Sequence, residues 1–413
     1  MTEFRPLRVL FVAFSRSSLG HVTRMRTAAR RFADAGHTVA VAAHEEARHL
    51  IDHAGLQWIG IDEIGPAPAW RGMNDVESLR AFARTRLASP IYVQACLRDE
   101  LRAIDEFAPD AVVSDMRNTA SVAASMRGLP SFTCHNLRLF KHPMHAVLPE
   151  ILATLAAIGI EPEHRAPLGD AVLVPDLPLL DPLADVPAET AGLIAGLIAE
   201  IRHIGPLVPQ ALLEQPVAAA REPILNITLG GSGAGDKDLL RIVAAASGLG
   251  VRLAVTLGAE GPGSDALADQ VRAAAGGAAI EIAAFRHDAV DLMARSAAAV
   301  IHGGHSSMIE GLLCATPLVF TPHSAEQRGN AARAAGLGLG TVVADDDPAD
   351  AVTDAIRSAL AADRGPLDAF AAVLRAADGA GAMLEAVERA VALHRAHGIA
   401  RVQDRTAGGT GAR

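Results

Sequence analysis

The sequence predicts an α/β protein of two doubly wound domains facing each other across a cleft. Three observations carry this expectation. At 413 residues the chain is too long for one ordinary core. A series of apolar strand, polar loop, amphipathic helix and strand begins at Arg8 and begins again at Ile224, after a proline-bearing stretch. In the second series a glycine-rich turn, His302-Gly303-Gly304-His305-Ser306-Ser307, joins an apolar strand to a helix, where doubly wound sheets hold ligands.

Arg8 to Phe14 is short and apolar, as a strand covered on both faces should be, and Ser15 to Gly20 is the loop after it. Val22, Met25, Ala29 and Phe32 recur at helical spacing until Gly36-His37 stops the helix. Thr38 to Ala43 completes a βαβ unit. Residues 44–108 are less regular and hold Trp58, Trp70 and Tyr92 in a chain poor in aromatics. Pro109 to Asp115 is a strand ending in a polar loop, an Ala/Ser-rich helix follows, and Leu129 to Cys134 is the next strand. Residues 137–165 read as a helical or mobile excursion, and Leu173 to Pro182 is proline-rich. The first domain is expected to span 1–205 and a linker 206–222.

The second domain, 223–365, opens with a strand at Ile224 to Leu229, a glycine loop at Gly230 to Gly235 and a helix at Asp238 to Ser247. Arg252 to Leu257 and Ile280 to Ala284 are strands, and Ala297 to Ile301 and Pro317 to Phe320 flank the glycine turn. Helices over 366–397 are expected to pack back toward the first domain. The tail, 398–413, is rich in Gly, Thr and Arg and is expected to be disordered.

Half the residues are hydrophobic and a fifth charged, a globular balance. A formal net charge of -10 with no basic stripe argues against nucleic acid as a partner. Cys96, Cys134 and Cys314 are odd in number and lack metal-ligand spacing, which fits a reducing cytoplasm. The apolar run Val9 to Phe14 is too short for a signal core or a membrane span, so a soluble protein with no membrane span is expected. A homodimer is left open. Asp345-Asp346-Asp347 looks like a metal run, but its polar setting fits a solvated loop better. The first loop has no Gly-x-Gly-x-x-Gly, which weighs against a dehydrogenase.

At the glycine turn, free N–H groups and the positive end of a helix dipole converge, which suits a phosphate or diphosphate. Gly303 and Gly304 admit a close ligand, and His302, Ser306 and Ser307 add donors. Ser307-x-x-Glu310 is equally a capping box, so helix physics alone leaves both readings open. The wider pattern decides. His302-x-Gly304-x-x-Ser307-x-x-Glu310, then Gly311, Pro317, Pro322 and Glu326-Gln327, resembles the nucleotide-sugar signature of the GT-B glycosyltransferases. The likeness is closest to the bacterial antibiotic and macrolide glycosyltransferases, which are UDP-glucuronosyltransferase-like. It covers Arg8 to Glu46, Pro109 to Asn136 and Leu173 to Asp345.

The resemblance implies a GT-B fold, with an acceptor-binding Rossmann-like domain followed by a donor-binding one. It implies a UDP- or dTDP-sugar as co-substrate, with no cofactor and no metal. His302, Gly304, Ser306 and Ser307, with Gly231 and Ser232 of the earlier glycine loop, would hold the donor diphosphate. Glu310 would accept from the ribose hydroxyls, Phe285 would stack on the base, and Arg286 would meet the base through its backbone. Glu326 and Gln327 would hold the sugar. Where the family has Gly-His-x-x-Pro this chain has Gly20-His21-Val22-Thr23-Arg24. His21 would then be the general base for a small hydroxylated acceptor, natural-product-like by the same resemblance. Arg24 in place of proline is expected to change the helix start and leave the base untouched.

Asp115 would orient His21, or alternatively cap the helix after it, with Arg117 competing for the carboxylate. Segments Trp58 to Trp70, Leu87 to Tyr92 and Leu137 to Leu155 are the expected acceptor walls, and the role of His305 stays open. The implied activity is inverting glycosyl transfer. A GT-B epimerase or hydrolase, and a non-catalytic nucleotide-binding partner subunit, are the alternatives.

Overall fold

The structure, a computed structural model, describes residues 5–16, 19–64, 81–138, 147–217, 220–230, 235–258, 264–344 and 346–407. In the first domain β1 (Arg8–Ala13) leads through α1 (Leu19–Asp34) to β2 (Thr38–Ala43) and β3 (Gln57–Gly60). Then come α2 (Pro90–Phe107), β4 (Ala111–Asp115), α3 (Asn118–Met126), β5 (Ser131–Cys134), β6 (Ala171–Val174) and β7 (Glu200–His203). The strands form one parallel sheet in the order β3-β2-β1-β4-β5-β6-β7. All of β4, and all but the first residue of β1, are buried, because helices cover both faces. Strand β7 was not expected from the sequence. It is a half-exposed edge reading Glu-Ile-Arg-His, without the apolar run that marks the inner strands.

The second domain runs β8 (Glu222–Thr228), α4 (Asp236–Ala246), β9 (Arg252–Thr256), β10 (Ile280–Ala283), α5 (Ala289–Arg295) and β11 (Ser296–Ile301). It continues through α6 (His305–Leu313), β12 (Leu318–Phe320), α7 (Ala325–Gly336) and β13 (Thr341–Val342). Its parallel order is β10-β9-β8-β11-β12-β13. After α8 (Gly365–Arg375), the long helix α9 (Gly379–Ala407) returns to the first domain. Its Met383, Val387 and Val391 are buried in one core with Phe11, Val22, Met25 and Phe32. The helix runs past residue 397, into the stretch expected to be a disordered tail, because Ala-Arg-Val-Gln keeps helix propensity and carries no proline.

Each sheet reverses its strand order once, between β1 and β4 and between β8 and β11. Ligands of open α/β sheets lie beyond the carboxyl ends of strands at such a point. Both reversals open on the same cleft.

Candidate active site

The cleft is a cavity of about 750 Å³ between the two domains. From the first domain its lining includes His21 and Arg24 on α1, Met116 and Arg117 after β4, and Asn136. From the second come Thr228 and Gly230 after β8, Phe285 and Arg286, the turn at His302, and the head of α7. The heads of α1 and α6 adjoin: Ser306 Oγ lies 3.6 Å from where a Cβ on Gly20 would sit.

On the first-domain side, Glu63 clamps the loop after β1. It accepts from the Ser15 N–H at 2.7 Å and hydroxyl at 2.9 Å, and from the Arg16 N–H at 3.0 Å. The chain then enters α1 and presents His21 over the end of β4. His21 Nδ1 meets Asp115 Oδ1 at 2.8 Å. Oδ1 can only accept, so Nδ1 carries the hydrogen and Nε2 is left as the basic atom. Burial alone would raise the Asp115 carboxyl, but Arg24 and His21 outweigh it and hold it at about 2. Met116 follows in the left-handed region at φ 58, a strained conformation that turns the chain sharply between Asp115 and Arg117.

Two expectations about this corner are corrected. Asp115 does not cap the next helix, whose N-cap is Arg117 with no side-chain cap bond. Arg117 does not compete for Asp115 either; it lies against Glu100 at 2.8 Å and Glu63 at 3.6 Å. The competitor is Arg24, which sits three residues after His21 and so on the same helix face. It donates from Nε to Asp115 Oδ2 at 2.8 Å and from Nη2 to Oδ1 at 2.9 Å, and stands 3.0 Å from His21 Nδ1. The replacement of proline by arginine therefore reaches the base directly. That spacing was the signal in the sequence.

On the second-domain side, β11 ends at Ile301, His302 follows, Gly303 takes φ 85, and Gly304 is the N-cap of α6. A Cβ on Gly303 would come within 2.9 Å of the Gln327 carbonyl, and one on Gly230 within 2.8 Å of the His302 ring. Glycine is needed at both. Burial pushes the His302 imidazole down to about 4, so it is neutral near pH 7. Its Nδ1 is buried without a hydrogen-bond partner among the described residues. Ser306, Ser307 and Glu310 line the cleft from α6. Burial pushes the Glu310 carboxyl up to about 7.

Phe285 is 42% exposed and faces the cleft, while the Arg286 guanidinium is tied back to Glu281 at 2.6 Å and Asp288 at 3.6 Å. Glu326 accepts from Asn330 at 3.0 Å. Gln327 spends its carbonyl on the cap of α7, accepting from the His323 and Ser324 N–H groups at 2.8 and 3.1 Å. Gly231 and Ser232 lie outside the described residues. So do Trp70, Asp345 and parts of two expected acceptor walls, residues 65–70 and 139–146. Leu87, Tyr92, Val147 and Ile151 do line the cleft. Trp58 does not: its indole donates to the Ala43 carbonyl at 3.0 Å and its ring carries the Arg48 guanidinium, a structural role.

His305 joins the halves. Its Nε2 lies 3.1 Å from Asp176 Oδ2 and its Nδ1 3.5 Å from Arg24 Nη1. Asp176 also pairs with Arg138, which reaches Asn330 of the second domain. Neither Asp176 nor Asn136 stood out in the sequence, since only the fold brings them here. Among the described residues no group of acidic, His or Cys side chains is arranged to hold a metal ion, and no helix is long and apolar enough to cross a membrane.

Residues 238–368 match the family model of the glycosyltransferase family 28 C-terminal domain. A protein of Methanosarcina mazei named as an uncharacterized glycosyltransferase is 26% identical over 356 residues, covering 83% of this chain and 87% of its own. A Methanosarcina acetivorans protein of the same name is 24% identical over 355 residues, with the same coverage. In fold the chain is similar to the glycosyltransferase of kitacinnamycin, at a TM-score of 0.67 and 19% identity, covering 93% of this chain and 99% of that one. It is similar also to the calicheamicin glycosyltransferase CalG4, at a TM-score of 0.67 and 17% identity, covering 94% and 98%. The chain thus carries a match to the glycosyltransferase family 28 C-terminal domain within a two-domain fold of the GT-B type.

Proposed function

We propose that the protein moves a sugar from a UDP- or dTDP-sugar to a small hydroxylated acceptor, natural-product-like in kind, with inversion at the anomeric carbon and without a metal ion. The observation that carries this reading is the placement of the His21–Asp115 pair across one cleft from the His302–Gly304 turn. The diphosphate would lie against the N–H groups at the head of α6, with His302 and the Ser306 and Ser307 hydroxyls as neutral donors. Glu310 would accept from ribose, Phe285 would stack on the base, and Glu326 would meet the sugar. His21 Nε2 would take the acceptor proton while the acceptor oxygen attacks the face of the sugar opposite the diphosphate, which is the geometry of inversion.

A thermal-shift panel tests this. UDP, dTDP and their sugars should raise the melting temperature, since a ligand of the native state alone stabilises it. Adding EDTA should leave both the shift and turnover unchanged. A panel with no response to any pyrimidine diphosphate would remove the donor assignment.

Glu310 adds a pH signature. A diol donating to this carboxyl favours the ionised form, so nucleotide affinity should rise as pH climbs through about 7. Calorimetry from pH 6 to 8 reads this, and Glu310→Gln should flatten the slope. Without ligand the sign is opposite. The folded state keeps a proton that the unfolded chain has released above the ordinary 4.5, so Glu310 costs stability progressively from there to about 7.

A further inference from the structure

Three arginines line the cleft among the described residues: Arg24, Arg117 and Arg286. Arg117 lies between Glu63 and Glu100, and Arg286 between Glu281 and Asp288, so the charge of each is matched locally. Among the described residues Arg24 pairs with one carboxylate, Asp115, and shares it with His21. Burial alone would disfavour its charge, but Asp115 outweighs burial and keeps the guanidinium cationic.

The two ends of this guanidinium do different things. Nε and Nη2 grip Asp115, whereas Nη1 donates to Asn136 Oδ1 of its own domain at 2.7 Å and faces His305 Nδ1 of the second domain at 3.5 Å. His305 is the first residue of α6, the helix whose N–H groups open on the cleft. Asp176 can only accept, so His305 carries its hydrogen on Nε2 and offers Nδ1 as a lone pair to Arg24. The head of α6 is therefore approached from the opposite domain by a cation, while its own His302 is kept neutral by burial.

A second detail concerns the base. His21 Nδ1, Asp115 Oδ1 and Arg24 Nη2 form a triangle with sides of 2.8, 2.9 and 3.0 Å. Oδ1 only accepts and Nη2 only donates, so the Nδ1–H bond to Asp115 runs beside a competing donor. A small withdrawal of Nη2 would relieve that crowding and leave the Nδ1–H to Asp115 bond alone.

We propose that Arg24 binds the donor diphosphate across the cleft through Nη1 and, by the same guanidinium, positions Asp115 and His21, so that donor occupancy sets the base. The proposal rests on the reading of the donor as a nucleoside diphosphate sugar. An anion at the head of α6 draws the guanidinium toward it; Nη2 retreats from His21, and the tautomer with a basic Nε2 is sharpened.

The test uses the full chain with UDP and with inorganic pyrophosphate as probes, read by calorimetry and by nitrogen NMR of labelled histidine. Arg24→Met should weaken both probes about tenfold or more, the worth of one charge-assisted hydrogen bond, and Arg24→Lys should weaken them less. In the wild type, UDP should move the His21 ring signals toward the Nδ1–H form; in Arg24→Met it should not. A merely structural arginine would not make that signal depend on UDP. Should Arg24→Met fail to fold, the wild-type titration and Arg24→Lys carry the test. UDP binding within twofold of wild type in the variants, or a wild-type His21 signal indifferent to UDP, overturns the role of Arg24 and leaves the donor assignment standing. Arg24-dependent binding of pyrophosphate, in a protein that rejects every nucleotide, does the reverse.

Discussion

His21→Ala lowers the turnover of sugar transfer by roughly 10²–10⁴-fold, the usual worth of a positioned general base, and leaves UDP binding within about twofold of wild type. The split follows from where the side chain stands. His21 belongs to the first domain and meets Asp115, Arg24 and the edge of Phe14, while the groups assigned to the donor, Arg24 apart, belong to the other domain, most of them on the turn after β11 and on α6 and α7. At 18% exposure the imidazole is mostly buried, so the variant should lose some melting temperature, yet it should fold, because Asp115 keeps its two bonds from Arg24. Turnover under saturating donor and acceptor, set beside calorimetry with UDP, separates the two effects. A variant that transfers sugar at the wild-type rate would exclude His21 as the base.

Why this pair could be read in the sequence, and its third partner could not, is a matter of range. Strands covered on both faces must be continuous apolar runs, so Val9 to Ala13 and Ala111 to Asp115 stand out as inner strands. In a doubly wound sheet such strands are neighbours at the reversal of order. A histidine just past the end of one and an aspartate at the end of the other must then converge. The glycine turn before α6 was legible for a similar reason, because strand, glycines and serines all lie within one short segment, although Ser307 lies inside the helix and Gly304, not a serine, is the N-cap.

Arg24 was misjudged because it was weighed only as a residue at a helix start, although its spacing from His21 fixes both on one face. Asn136, Asp176 and Asn330 carry no local mark at all. Their hydrogen bonds join residues far apart in sequence, Arg24 with Asn136 within the first domain and Arg138 with Asn330 across the two, which only the fold brings together. Gln327 is the converse case. The resemblance marked it for the sugar, while its position three residues after Ser324 commits its carbonyl to a capping box.

Asp115→Asn has a double cost, and its size follows from counting donors. The wild-type carboxylate accepts three hydrogen bonds, from His21 Nδ1 at 2.8 Å and from Arg24 at 2.8 and 2.9 Å. An asparagine offers one oxygen and one amide. If the oxygen stays toward Arg24, the amide faces His21 Nδ1 and donates to it, which forces the hydrogen onto Nε2 and abolishes the base. If the oxygen turns to His21, the amide confronts the Arg24 Nε–H; in either arrangement a guanidinium buried to 6% exposure loses its counter-charge. The first arrangement costs up to about 10⁴-fold in turnover, as for a wrong imidazole tautomer in a hydrolase triad. Both arrangements cost about 3–5 kcal/mol of stability, as for a buried ion pair deprived of one partner. The amide cannot escape both, so the product of lost rate and lost stability stays large whichever orientation it adopts. Denaturant titration together with turnover measures the two, and an Asp115→Asn enzyme close to wild type in both would mean that His21 takes its proton without Asp115. Combining Asp115→Asn with Arg24→Met should restore much of the stability, because the orphaned cation is gone, and restore none of the rate.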